Sequence, residues 1–262
     1  MYYSKRSAAR LVLPCLFLTL SAFSMSAQSA DKLTVSGGLD YNTGDYGQIQ
    51  NTNVMSVPLS IRYKTGAWSY RVAMPYQYIE ESANSILIGG DILPNANGEK
   101  VVSGFGDVTV SARYALNTLE NSNTDIDLIG KIKFGTANVA KGLGSGSNDY
   151  TLELSVYQPT ADQIDLFGSV GYRIKGDLPQ QALNNVWLGS AGFTFPLSSA
   201  SQFGISYDYR QATFARGSAI REISPYVDWK YDQDITLNTY ALIGLSRASP
   251  DFGIGMQISY SY

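Results

Sequence analysis

Charged side chains recur at even spacing in segments that otherwise alternate in polarity. "FGDVTVSARYAL" carries Asp107 and Arg113, and "DIDLIGKIKFG" carries Asp127, Lys131 and Lys133. Read at the same parity, neighbouring segments add Arg62, Arg71, Glu153, Arg173, Asp208, Arg210 and Glu222, with Asp165, Asp228 and Lys230 beside them. Three kinds of chemistry could use such a set. Catalysis is the least supported. The chain has no histidine, so Ser-His and Asp-His machinery is excluded. Its carboxylates are scattered among basic partners instead of converging as acid and base. The single Cys15 allows neither a disulfide nor a cysteine metal site. The glycines of "GLGSGSNDY" invite a phosphate-loop reading, but no Gly-Lys-Ser/Thr and no helical pattern follows them. Asp149 with Asn148 is too small a ligand set for calcium. No catalytic residue, cofactor or metal is assigned, and the chain reads as a non-enzyme. Two uses remain: a polar path for a solute, or charges that satisfy one another and stiffen a filled interior.

The elements that position these charges are strands. "SVPLSIRYK" puts Val57, Leu59, Ile61 and Tyr63 on one face and Ser56, Ser60 and Arg62 on the other. "AWSYRVAMPYQY" opposes Trp68, Tyr70, Val72, Met74, Tyr76 and Tyr78 to Ser69, Arg71, Ala73 and Gln77. Such period-two alternation is the mark of a strand with two unlike faces. About 12 such strands are predicted, and no helical period appears beyond the N-terminal segment. Five connections are short, near 64–66, 117–124, 159–162, 197–201 and 231–234. Those between them are generally longer, the longest being 79–104, while 137–147 is read as a flexible loop tip. The contrast weakens toward the C-terminus.

Residues 1–29 read as a secretory signal peptide. Lys5, Arg6 and Arg10 precede an apolar run from Leu11 to Phe23, and small residues follow, placing cleavage between Ser26 and Ala30. The apolar run is too short for a spanning helix. Three basic and no acidic residues lie in this leader, so the net charge of −3 becomes −6 for the mature part, 30–262. That balance argues against a nucleic-acid partner.

A soluble sandwich would spread its rings through a core and would not tolerate unpaired mid-strand charges inside. Here the rings gather near strand ends. Tyr63, Trp68, Tyr114, Phe195, Phe203, Trp229, Tyr231 and Tyr262 lie toward the short turns, and Tyr41, Tyr76, Tyr78, Phe134, Tyr150 and Tyr209 toward the longer loops. Two aromatic belts and an alternating short-and-long loop plan predict an all-β, antiparallel, up-and-down transmembrane barrel with membrane lipid as its outer partner. Both ends of the mature chain then fall on the periplasmic side, and closure removes the edge that "GIGMQISYSY" would otherwise expose.

Several stretches also carry family resemblances. "GMQISYSY" resembles the C-terminal signal of Gram-negative outer-membrane proteins, which implies recognition by the barrel-assembly machinery through Tyr262 and Tyr260. "RVAMPYQY", "SGFGDVTVSARYAL", "KIKFGTANVAKGLGSGSNDYTLELSVYQP" and "DLFGSVGYRIKGD" resemble a family of Gram-negative outer-membrane barrels labelled as transporters or as phenol-degradation-pathway proteins. That resemblance, over most of residues 67–180, implies a single outer-membrane barrel passing small molecules. It names no substrate.

Charge pairing gives a trial register. A turn centred near 120 pairs Asp107 with Lys133, Arg113 with Asp127 and Thr109 with Lys131. A loop centred near 216 pairs Arg210 with Glu222. Arg62, Arg71 and Arg113 form a positive patch toward the periplasmic end, and rings of basic side chains favour anions. Twelve strands about 4.8 Å apart and tilted about 40° give a backbone radius of roughly 12 Å, enough for a narrow pore. Loop 79–104, with its apolar run "SILIGGDIL", is a candidate either to plug the lumen or to contact a partner. The alternative is a plugged structural or partner-binding barrel.

Overall fold

A computed structural model describes residues 31–46, 51–80, 85–88, 91–94, 101–116, 123–160, 163–178, 182–215 and 217–262. The expected leader, residues 1–29, lies outside them. The described residues contain no helix. The strands are β1 (Lys32–Gly44), β2 (Thr52–Thr65), β3 (Trp68–Glu80), β4 (Ser85–Ile88), β5 (Asp91–Pro94), β6 (Val101–Phe105), β7 (Val108–Leu116) and β8 (Asp125–Phe134). They continue as β9 (Asp149–Gln158), β10 (Asp165–Ile174), β11 (Val186–Pro196), β12 (Ser201–Arg210), β13 (Ile220–Lys230), β14 (Ile235–Gly244) and β15 (Phe252–Ser261).

Each wall strand pairs antiparallel with its neighbours, and β1 pairs with both β2 and β15, so the sheet closes on itself. The wall has 12 strands, because β6 and β7 are two pieces of one strand and both pair with β3. β4 and β5 form a separate hairpin between β3 and β6. Loop 79–104 is therefore shorter than its sequence suggests. β3 runs through residue 80 and β6 begins at 101, leaving only the middle as a connection.

The break between β6 and β7 is a bulge. Ala73 pairs with Thr109 and Tyr76 with Phe105, so Met74 and Pro75 oppose Gly106, Asp107 and Val108. One extra residue reverses the parity of everything beyond it. Val101 and Phe105 are exposed on one side of the break, Val110 and Tyr114 on the other. Pro75 offers no N–H to the ladder but its carbonyl accepts from Gly106 N at 2.8 Å. Its register partner on β2 is Pro58, beside which the β1–β2 ladder is interrupted between Gly37↔Leu59 and Asp40↔Ser56.

The closing seam joins β1 to β15 over ten residue pairs, from Thr34↔Ser261 to Thr43↔Phe252. On the inner side Thr34 and Ser261 hydroxyls meet at 2.9 Å, and those of Ser36 and Ser259 at 2.7 Å. Burial is inverted relative to a soluble domain. In β9 Leu152 is 60% exposed, whereas the next residue, Glu153, is 2% exposed. Apolar side chains face outward and polar ones inward along nearly every strand, as lipid outside and a polar interior demand. The outward rings pack near strand ends. Trp68 lies 4.7 Å from Tyr114 at the short-turn end, and Tyr76 5.2 Å from Phe105 at the other.

Candidate functional site: the inner wall

Strand tilt turns register into geometry. A row of directly paired residues runs perpendicular to the strands and so climbs the wall from one rim toward the other. One inward row reads Arg62, Arg71, Ser111, Lys131, Thr151, Arg173, each paired with the next across β2, β3, β7, β8, β9 and β10. It starts near the short-turn rim on β2 and ends near the loop rim on β10. A second row reads Asp127, Ser155, Ser169, Ser190, Asp208, Glu222 across β8 to β13. The first is basic and hydroxylic, the second acidic and hydroxylic. Between them runs a third, in which Arg113, Ile129 and Glu153 occupy β7, β8 and β9.

Ion pairs bridge the rows. Lys131 Nζ donates to Glu153 Oε2 at 2.7 Å, with both side chains buried. Arg113 donates to Asp127. Lys133 Nζ donates to Asp107 Oδ2 at 2.8 Å and lies 3.7 Å from Asp149 Oδ2, which Lys175 approaches at the same distance. Arg173 Nε donates to Thr151 Oγ1 at 3.2 Å. Arg210 is buried at the loop end of β12. Arg62 and Arg71 are direct register partners on adjacent strands, and Arg113 stands on the next strand opposite Ser69.

The trial register is off by two residues in both places where charges set it. Thr109, not Asp107, is opposite Lys133, and Ala115, not Arg113, is opposite Asp127. Asp208, not Arg210, is opposite Glu222, and Arg210 is opposite Ile220. Long side chains reach diagonal neighbours about 7–8 Å away, so the Lys133–Asp107 and Arg113–Asp127 pairs form regardless.

Sequence reasoning missed Asp40 and the pairing of Asp149 with Lys175, and it placed Asp228 inside without its partners. Asp40 accepts from Tyr240 Oη at 2.7 Å. Asp228 accepts from Asn238 Nδ2 at 2.7 Å and from Gln202 Nε2 at 2.8 Å. Asp149 and Lys175 form the loop-end cluster described above. The parity of β1 alone would have found Asp40, since Leu39 and Tyr41 face outward.

Inward rings pair with glycines. Phe167 is opposite Gly192, Tyr226 opposite Gly204, and Tyr240 opposite Gly255. A Cβ on any of these glycines would collide with the partner ring. The missing side chain lets each ring lie across the neighbouring strand. Three bulky groups are thereby kept against the wall.

The main intrusion comes from residues 135–148, whose 137–147 stretch reads in sequence as a flexible tip. This segment is packed inward. Leu143 is 1% exposed and forms an apolar cluster with Val54, Ile79, Val102 and Ala137. Asp107 anchors it, accepting from Ala137 N at 3.0 Å while its other oxygen takes Lys133. Lys133 Nζ also donates to Ser145 Oγ at 3.0 Å and Ser147 O at 3.1 Å. Close approach requires glycine here: a Cβ on Gly144 would meet Asp107 Oδ1 at 2.7 Å, and one on Gly104 would meet Leu143 at 2.7 Å. The middle of loop 79–104, the candidate plug or partner contact, lies largely outside the described residues.

A closed 12-stranded barrel, apolar outside and charged inside, defines the architecture of outer-membrane channels. The comparisons agree. The chain is similar to the COG4313 outer-membrane channel of Pseudomonas putida F1, with 13% identity and a TM-score of 0.70 over 93% of this chain and 100% of that one. It is also similar to the KdgM porin, at 10% identity and TM-score 0.54 over 87% and 99% of the two chains. For the NanC porin the values are 13%, 0.54, 87% and 98%. At these identities the likeness is one of fold. No curated protein matches the chain. The family model described as "Putative MetA-pathway of phenol degradation" matches residues 26–262, and the chain belongs to that family.

Proposed function

We propose that the protein is a narrow channel of the Gram-negative outer membrane that passes small solutes and favours acidic ones. The observation that carries this reading is the pair of continuous inner rows, one basic and one acidic, climbing the wall with hydroxyls between the charges. A structural barrel has no need of polar continuity between its rims. The glycine-backed rings support an open bore. Acidic solutes follow from Arg62, Arg71 and Arg113 toward the periplasmic end; aromatic ones are suggested by the phenol in the family's description. The absence of histidine supports passage over catalysis. Residues 1–29 act as the cleaved export signal, and Tyr260 and Tyr262 serve the barrel-assembly machinery.

Planar-bilayer recording from the refolded mature barrel tests this. Stepwise conductance with a reversal potential favouring anions is expected. Arg71→Glu combined with Arg113→Glu should reduce or reverse that preference. The inward-packed 135–148 segment favours a second reading, a closed structural barrel, and absence of current from a correctly folded wild type would select it.

A further inference from the structure

We propose that Arg62 and Arg71 together form a binding site for a small organic carboxylate on the periplasmic half of the inner wall. The proposal rests on the channel reading above and adds a defined stop within the path.

Like charges directly opposite each other across a ladder are destabilising, and their Cβ atoms lie about 5 Å apart. Arg62 and Arg71 hold such positions on β2 and β3. On the adjoining strands β7 and β8 cations are matched by acids at contact distance: Arg113 by Asp127, Lys131 by Glu153, Lys133 by Asp107. Arg71 differs. Its Nε is buried and has no hydrogen-bond partner among the described residues. A buried donor left unmade costs more than a made one returns, so the site is poised for an acceptor.

The surroundings fit a carboxylate. Ser111 is the partner of Arg71 on the opposite side, and Ser69 and Ser60 stand on the neighbouring inward rows. Pro58 and Pro75 are opposite each other a short way along the same two strands, and Ala73 pairs with Ser60. A guanidinium fork matches the two oxygens of a planar carboxylate bidentately, and two adjacent forks suit one dicarboxylate or one carboxylate bridged by both. Arg113, although committed to Asp127, adds a third positive charge opposite Ser69, two residues from Arg71 on β3. The acidic row begins at Asp127, one strand beyond Arg113. It limits the total negative charge the region accepts and weakens retention, as conduction requires.

The test uses the refolded mature barrel in detergent, titrated calorimetrically with succinate, acetate, inorganic phosphate and neutral succinamide, alongside single-channel recording. Succinate and acetate should bind, succinamide should not, and succinate should shorten open times at micromolar-to-millimolar levels. Arg62→Gln and Arg71→Gln should each weaken succinate binding about tenfold or more, the worth of one charged hydrogen bond. Arg247→Gln, the same charge change at an exposed position between β14 and β15, should leave binding unchanged. Arg71→Lys keeps charge without the fork and should weaken binding as well; it serves if a Gln variant does not refold. Equal binding by wild type and both Gln variants overturns the site, as does phosphate binding tighter than either carboxylate. The channel reading fails separately: carboxylate binding without any conductance would retain the site and reject the path.

Discussion

Lys133 reaches Asp107 at 2.8 Å although its register partner is Thr109, two residues away. The diagonal arises at the bulge, where Asp107 leaves the ladder and turns its carboxylate toward both Lys133 and the backbone of Ala137. One side chain thus ties a wall defect to the segment packed beneath it. Asp107→Ala should cost about 3 kcal/mol in urea unfolding from micelles, the lower end for breaking a buried pair. Asp107→Asn keeps the acceptor for Ala137 N and should cost less. Both should speed hydrogen exchange over 137–147 and raise single-channel conductance. Unchanged conductance with accelerated exchange would show that this segment does not narrow the path.

Parity gives a prediction on one strand. Val170 is 51% exposed on the outside of β10, and Ser169 stands in the acidic row inside. Val170→Arg should destabilise the barrel by about 2–4 kcal/mol in lipid, as a cation facing the hydrocarbon does. Ser169→Arg, beside Ser155 and Ser190 and within the row of Asp127 and Asp208, should cost far less. Equal losses in vesicle refolding titrations would reverse the assignment of faces.

The ring-on-glycine pairs predict an effect on current rather than mainly on folding. Gly204→Ala should push the Tyr226 ring off the wall, at about 1–3 kcal/mol of overpacking strain, and lower conductance. The double variant Gly204→Ala with Tyr226→Ser should recover both. Failure of the second change to restore current would mean that the ring was never the obstruction.

Tyr262 is 70% exposed, and its ring meets that of Tyr260 edge-on at 4.7 Å. Loss of that contact in Tyr262→Ala should cost only about 1 kcal/mol. If the ring serves assembly, the variant should accumulate poorly in the outer membrane of living cells yet refold normally in detergent. Equal deficits in the two assays would assign the ring to packing alone.

The barrel was legible because an alternating strand records both of its environments. Leu152 beside Glu153 is a statement about lipid and lumen before any coordinate is known. Register was less legible, for a physical reason. Ion pairs satisfied on the diagonal look the same in sequence as pairs satisfied directly, so Arg113 with Asp127 fixes pairing only to within two residues. The bulge left one trace, the switch from outward Val101 and Phe105 to outward Val110 and Tyr114, and a single apolar residue on either side blurs it. The 135–148 segment left none. Glycine and serine without period describe a loose tip and a tightly inserted one equally well, and only the partners Val54, Ile79 and Val102, distant in sequence, decide between them.

The basic row has a consequence for the shape of what travels along it. From Arg62 to Arg173 it crosses five strand spacings, about 24 Å at 4.8 Å each, while turning through nearly half the circumference. A solute handed along these charges follows a screw thread, rotating as it advances. Compact anions can do this without losing contact with the wall. A stiff rod of the same charge must span the bore and meet the acidic row, so the thread sorts solutes by persistence length as well as by sign.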